Sequence, residues 1–186
     1  AIKSFAILSG NTGNAFKITS PGGQLQVNLQ SELDRETTAQ YTLVVRVTDN
    51  GSPSNLFDDA TVTVDITDVN EPPVFADVTL SVAENSAADT NVGASLVAQV
   101  TDNDSGPDNN AIKSFAILSG NTGNAFKITS PGGQLQVNLQ SELDRETTAQ
   151  YTLVVRVTDN GSPSNLFDDA TVTVDITDVN EAPVFA

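Results

Sequence analysis

Apolar and polar positions alternate along most of the chain. Phe5 and Ile7 are interleaved with Ala6 and Leu8, Phe16 and Ile18 flank Lys17, and Leu25, Val27 and Leu29 are separated by Gln26 and Asn28. Tyr41, Leu43, Val45 and Val47 alternate with Thr42, Val44, Arg46 and Thr48; Ala60, Val62, Val64 and Ile66 alternate with Thr61, Thr63, Asp65 and Thr67. A period of two sends successive side chains to opposite faces of an extended backbone, so these five runs predict half-buried strands. Val78, Leu80 and Val82 with Thr79 and Ser81, and Leu96, Ala98 and Val100 with Val97 and Gln99, predict two more. Ser20-Pro21-Gly22-Gly23 and Asn50-Gly51-Ser52-Pro53 read as turns. No stretch carries the pattern of a long amphipathic helix, and Gln30–Asp34 suits a single turn at most.

The chain repeats itself. Residues 1–71 recur without change as 111–181, an offset of 110 residues, and Pro72 is then matched by Ala182 before the identity resumes. A period this long is the size of a domain rather than of a solenoid repeat. Seven short strands separated by polar turns predict an all-β, immunoglobulin-like Greek-key β-sandwich. The seven are complete only when residues 77–110 precede the second copy. Those residues cannot serve the first copy: returning from the end of its last strand to the start of a first strand takes roughly ten residues at about 3.3 Å each, and only Pro72 to Asp77 lie between. The expected organisation is therefore a partial module at 1–71 with strands C to G, a linker at 72–76, a complete module at 77–181, and the start of another linker at 182–186. In the partial module, residues 24–30 would expose an unpaired edge, and Phe5, Ile18, Leu25 and Val45 an uncovered apolar face. The expectation is that a segment like 77–110 precedes Ala1 in the parent protein.

Charge narrows the chemistry. Of 186 residues, 24 are Asp or Glu and eight are Lys or Arg, a formal net charge of −16. Nucleic acid is a poor partner for such a surface, because phosphate needs basic groups. The absence of Cys excludes disulfides, zinc–thiolate sites and thiol nucleophiles, and the absence of His removes the commonest general base. No apolar run reaches the ~18 residues a membrane-spanning helix needs.

The acids gather at turns and repeat at module ends. They form Asp34-Arg35-Glu36 and Asp144-Arg145-Glu146; Asp68-Val69-Asn70-Glu71 and Asp178-Val179-Asn180-Glu181; Glu84-Asn85; and Asp102-Asn103-Asp104 with Asp108-Asn109-Asn110. Thr48-Asp49-Asn50 and Thr158-Asp159-Asn160 add a fifth element. Clustered carboxylates and amides suit a hard cation such as calcium, which takes six to eight oxygen ligands. An EF-hand opening at Asp102 would need Glu at its twelfth position, where Lys113 stands. A glycosidase pair would sit in one cleft lined with aromatics rather than recur at module ends, so no catalytic residues are expected and the chain does not read as an enzyme. Asn50-Gly51-Ser52, Asn103-Asp104-Ser105 and Asn160-Gly161-Ser162 fit the glycosylation pattern, which also arises by chance.

This ordered set resembles the cadherin repeat, whose motifs are a Glu late in strand A, Asp-Arg-Glu, Ala-x-Asp, Asp-x-Asp with a following Asn, and Asp-x-Asn-Asp/Glu in the linker. The resemblance covers the whole chain. The linker variant Asp-Val-Asn-Glu-Pro-Pro-Val-Phe is similar to that of cadherin-like repeats in large bacterial surface adhesins. The resemblance implies calcium held at the junction of consecutive modules. It assigns Asp34, Glu36, Asp68, Asn70 and Glu71 from the lower side and Asp102, Asp104, Asn110 and Asp159 from the upper, with backbone carbonyls of Val69, Pro72 and Asn110. A second set, Glu84, Asp144, Glu146, Asp178, Asn180 and Glu181, lies at the free pole and is expected to bind more weakly. Two departures stand out: the first copy has no strand-A Glu, and Glu71 replaces the usual linker Asp.

The reading is a calcium-rigidified structural or adhesive repeat of a secreted or cell-surface protein, with calcium and neighbouring identical repeats as partners. No nucleic-acid partner and no membrane insertion are expected. The alternative is a module that binds carbohydrate or pairs with like modules on other cells. Absence of Trp, and only two Tyr, both on strands, leaves no aromatic platform for polysaccharide.

Overall fold

The computed structural model describes residues 1–104 and 111–182. Asn110 and the last four residues of the expected second linker lie outside them. The chain divides into two compact units, Ala1–Asp68 and Val69–Ala186.

The first unit contains β1 (Ile2–Ser9), β2 (Phe16–Ile18), β3 (Leu25–Val27), β4 (Gln40–Asp49) and β5 (Phe57–Asp65). β4 pairs antiparallel with both β1 and β5 in a three-stranded sheet, and β2 pairs with β3 in a hairpin. The expected strand through Leu29 ends at Val27. Asn28 and Leu29 both turn their N–H groups to the Ala15 carbonyl, at 2.7 and 3.2 Å, and a 3₁₀ turn follows at Gln30–Glu32.

The second unit contains β6 (Val74–Phe75), β7 (Val78–Ala83), β8 (Val100–Thr101), β9 (Ile112–Ser119), β10 (Phe126–Ile128), β11 (Leu135–Val137), β12 (Gln150–Asp159) and β13 (Phe167–Thr177). One layer is a four-stranded sheet in the order β7-β13-β12-β9, with β7 parallel to β13. The other layer holds the β10–β11 hairpin and the β6–β8 pair. Residues Thr90–Leu96 run along this hairpin, through Val92 N–H to Leu135 O (2.9 Å), Val137 N–H to Thr90 O (2.9 Å) and Leu96 N–H to Gly133 O (2.9 Å). Between the layers lies a core that includes Phe75, Val92, Leu96, Phe126, Leu135, Leu153, Val155, Val172 and Ile176. This is the expected immunoglobulin-like β-sandwich. The Tyr151 hydroxyl donates to Glu142 O at 2.5 Å, the kind of tyrosine tie found at sandwich corners. Among the described residues there is no α-helix and no helix long and apolar enough to cross a membrane.

One expected strand is corrected. Leu96–Gln99 forms a 3₁₀ turn, and only Val100–Thr101 is extended. Ser95 decides this: its side chain accepts from Val97 N–H at 3.2 Å and donates to Gly132 O at 2.7 Å, so the backbone is capped into a turn despite the alternating pattern.

Because 1–71 and 111–181 are identical, the two units separate local from tertiary effects. Features set by local sequence appear twice. Arg46 and Arg156 each clamp an Asp, Asp59 and Asp169, and each lies over a phenylalanine ring, 3.7 Å from Phe57 and 3.6 Å from Phe167. Burial repeats only in part: Leu43 and Leu153 are both fully buried. Val137 is fully buried, whereas its duplicate Val27 is 47% exposed. β13 reaches Thr177, paired there with Ala83 of β7, whereas β5 stops at Asp65.

Candidate metal centres of the second unit

The first acidic cluster forms where three segments of the second unit meet. Asp102 and Asp104 follow β8, and Asp159 ends β12; their carboxylates offer oxygens within 4.8 Å of one another. Asp104 and Asp159 are almost completely buried, at 2% and 1% exposure. The Asp159 loop is built locally. Asp159 Oδ1 accepts from Gly161 N–H (3.0 Å) and Leu166 N–H (2.8 Å), and Asp49 Oδ1 accepts from Gly51 N–H and Leu56 N–H at the same distances. An Asp that turns its own backbone in this way explains why the loop recurs in both copies.

The linker completes the cluster. Asn70 donates from Nδ2 to Asp159 Oδ2 at 3.0 Å and to Ser164 O at 3.2 Å. Its Oδ1 is buried and accepts no hydrogen bond. A buried amide oxygen without a donor costs on the order of 1–3 kcal/mol, so this atom fits a cation ligand. Glu71 N–H donates to both carboxylate oxygens of Asp104, at 3.1 and 3.2 Å, and Asp104 N–H donates to Asp102 Oδ1 at 3.3 Å. Burial raises the pKa of Asp102; the Asp104 N–H opposes this, and the charges of Asp104 and Asp159 add to it. Among the described residues no Lys or Arg forms an ion pair with these three acids. The donor set is therefore all oxygen, negatively charged and partly dry, as a hard cation requires.

A second cluster joins Glu84, at the end of β7, with Asp144 and Glu146, again within 4.8 Å. Glu84 is 2% exposed. Its carboxylate accepts from Arg145 N–H (2.9 Å) and Val179 N–H (2.6 Å), and these bonds hold its pKa below the ordinary glutamate value against the effect of burial. Arg145 does not neutralise the cluster; its guanidinium donates to Ile176 O at 3.1 Å. Glu146 is pulled down by its own N–H, but burial and the charges of Glu84, Asp178 and Glu181 outweigh this and raise its pKa. Glu181 accepts from Asn85 Nδ2 at 2.7 Å, and Asp178, Asn180 and Glu181 are exposed.

The remaining expected ligands are in different states. In the first unit, Asp34 accepts from Thr37 N–H (3.0 Å) and Thr37 Oγ1 (2.9 Å), which lower its pKa. Glu36 is half-buried, and its Oε1 is buried with no hydrogen-bond donor. Asp68 is half-buried; Val69, Glu71 and Pro72 are exposed. Sequence reasoning missed Gly161. A Cβ built there would lie 1.4 Å from Asn70 Oδ1, so a side chain at 161 and the observed Asn70 amide cannot coexist. Its only sequence signal is its place in a turn directly after Asp159.

A model of the cadherin domain family matches residues 2–67 and 78–177. Protocadherin Fat 4 of Mus musculus is 37% identical over 183 residues, covering 97% of this chain and 3% of that protein. The protocadherin-like wing polarity protein stan of Drosophila melanogaster is 37% identical over 188 residues, again 97% of this chain and 5% of the relative. Among solved structures, the extracellular cadherin domains 1–5 of protocadherin gamma B2 match with a TM-score of 0.72 at 25% identity, covering 95% of this chain and 33% of that one. The chain thus spans a small fraction of the curated proteins it matches. The chain belongs to the cadherin domain family.

Proposed function

We propose that the chain is a calcium-rigidified structural and adhesive repeat of an extracellular cell-surface protein, and that it is not an enzyme. The observation that carries this reading is the cluster of Asp102, Asp104 and Asp159 beside the donorless Asn70 Oδ1. Those four residues would hold calcium in the second unit, and the resemblance adds Asp34, Glu36 and Asp68 of the first unit, Glu71, and the carbonyls of Val69, Pro72 and Asn110. Bound calcium supplies the positive charge that offsets carboxylates packed together with little basic compensation. The protein's part is to hold the oxygens in place: Gly161 and Leu166 N–H groups fix Asp159, and Glu71 N–H fixes Asp104. Glu84, Asp144 and Glu146, with Asp178, Asn180 and Glu181, form a second, weaker set.

The unchanged recurrence of residues 1–71 as 111–181 suits a spacer, which needs length and stiffness rather than distinct surfaces. The names of the relatives, protocadherins and a wing polarity protein, support a place at the cell surface. The linker sequence favours a large bacterial adhesin as the setting, whereas those relatives are animal proteins. The test is small-angle scattering with thermal melting, in chelator and in millimolar calcium. Calcium should change the scattering profile toward a stiffer particle and raise the melting temperature, since a ligand of the folded state alone stabilises it by mass action. Superimposable profiles and equal melting temperatures would contradict the proposal.

A further inference from the structure

Asparagine followed by glycine is a reactive pair, because the glycine backbone nitrogen can close on the asparagine side-chain carbonyl carbon with no Cβ in the way. The chain has two such pairs, Asn50-Gly51 and Asn160-Gly161. The second lies in the loop that leaves β12 directly after Asp159. Asn160 is half-buried there and Gly161 is buried. The loop occupies both reacting groups. Gly161 N–H donates to Asp159 Oδ1 at 3.0 Å, and Asn160 Oδ1 accepts from Ala111 N–H at 3.0 Å. Asn160 N–H donates to Ala111 O at 3.0 Å, and Asn165 Nδ2 donates to Gly161 O at 3.3 Å.

Part of this bonding is local. In the first copy Gly51 N–H donates to Asp49 Oδ1 at 3.0 Å and Asn50 N–H to Ala1 O at 3.1 Å. What the second unit adds is Asn70. Its Nδ2 donates to Asp159 Oδ2 at 3.0 Å and to Ser164 O at 3.2 Å, so one amide ties the loop down on both sides of Asn160-Gly161. The same amide lies directly on Gly161, where a built Cβ would fall 1.4 Å from Asn70 Oδ1. The bare face of the glycine is thereby covered. A loop held by hydrogen bonds opens with a free energy that those bonds set, and each bond lost raises the opened population.

We propose that Asn160 is a latent deamidation site, kept silent by Asn70. When the linker leaves the loop, the Gly161 nitrogen attacks Asn160 Cγ. The new N–Cγ bond forms as the bond to the side-chain nitrogen breaks, and that nitrogen departs as ammonia with the proton given up by Gly161 N–H. The product is a cyclic succinimide. Water then adds to one of its carbonyls and opens the ring. Attack at the side-chain carbonyl gives aspartate, and attack at the backbone carbonyl gives isoaspartate. One water is consumed and one ammonia released. Either product places a negative charge next to Asp159. Isoaspartate also puts an extra carbon into the main chain between Asp159 and Gly161, which upsets the turn in which Asp159 Oδ1 accepts the Gly161 N–H. The modification thus records time spent with the linker displaced. It needs no metal and stands apart from the calcium reading.

The test is incubation of the whole chain and of Asn70→Ala, in chelator at mildly alkaline pH, with tryptic peptide mass spectrometry over time. Cleavage after Arg46, Lys113 and Arg156 puts Asn50 and Asn160 on different peptides, residues 47–113 and 157–186, so each is read separately. In Asn70→Ala, Asn160 should deamidate about tenfold faster than in the unaltered chain, the change that loss of two hydrogen bonds brings. Asn50, which has the same sequence neighbours and no asparagine over Gly51, should keep one rate in both chains. Asn70→Asp keeps the shape of the side chain but donates nothing, and should act like Asn70→Ala. Equal rates at Asn160 in the unaltered chain and the variants would overturn the proposal. So would a mass gain that fragmentation places at Asn165 or Asn180 instead. Acceleration seen only with loss of the β-sandwich circular dichroism would mean general unfolding, and would also overturn it.

Discussion

Asn70 donates from Nδ2 to Asp159 Oδ2 at 3.0 Å, across a sequence separation of 89 residues, while its own Oδ1 is buried and has no donor. One side chain thus fixes the linker against the β12 loop and leaves a bare oxygen beside three carboxylates. Its two ends differ: the nitrogen end is satisfied by protein, and the oxygen end would be available to a cation.

Gly161→Ala tests whether that position of Asn70 matters. The new Cβ would fall 1.4 Å from Asn70 Oδ1, so the amide must leave. Calcium affinity should fall by roughly tenfold, about 1.4 kcal/mol. Gly51→Ala, at the identical position of the first copy, brings a Cβ no nearer than 3.2 Å to Asp49 and should leave affinity within about twofold. Equal effects of the two substitutions would show that the packing of Asn70 on Gly161 has no bearing on the metal.

The duplicate cores make a second paired experiment. Leu135 is fully buried, whereas Leu25 lines an open groove of the first unit. Leu135→Ala should destabilise the second unit by about 2–5 kcal/mol, as cavity-forming substitutions do. Leu25→Ala should cost less than half as much, because the lost methyl groups were already in contact with water. Denaturant unfolding of the two variants measures both, and equal losses would contradict the burial difference.

Much of this was legible in the residues. Period-two alternation marked the strands because each has one wet and one dry face, and the duplicated blocks showed where one module's pattern recurs. The 3₁₀ turn at Leu96–Gln99 was not legible, since Ser95 competes with the alternating pattern through its side chain. The acids were visible at turns, and the structure brings Asp102, Asp104 and Asp159 together, as it does Glu84, Asp144 and Glu146. The hydrogen bond of Asn70 to Asp159 and its close approach to Gly161 were not legible. Both arise from contact between segments distant in sequence, and nothing local marks them.

Stability should depend on pH in opposite directions with and without calcium. Asp102 has a raised pKa, first from burial and then from neighbouring carboxylates, so the folded chain holds its proton more tightly than the unfolded chain. Its contribution is therefore complete below the ordinary aspartate value and is lost as pH rises through the raised one. Glu146, also raised, acts the same way. The chain has no His, and carboxylates held low, such as Asp34 and Glu84, stay ionised above about pH 5. In chelator the melting temperature should fall as pH rises above the ordinary carboxylate range of about 4. In millimolar calcium it should rise over the same range, because protons compete with the cation for the same oxygens. A rise in chelator would reverse the assigned sign.

The central claim is that Asp104 belongs to a calcium site, and calorimetric titration of the chain with calcium, beside the Asp104→Ala variant, tests it directly. Asp104 follows β8 outside the apolar core, so the variant should keep the circular dichroism of the β-sandwich. The unaltered chain should bind calcium saturably, with dissociation constants of about 10⁻⁴ to 10⁻³ M or tighter. The variant should bind fewer ions, retaining only those of the Glu84 cluster. No binding heat at millimolar calcium, or titrations of chain and variant that coincide in number of sites and affinity, would contradict the account.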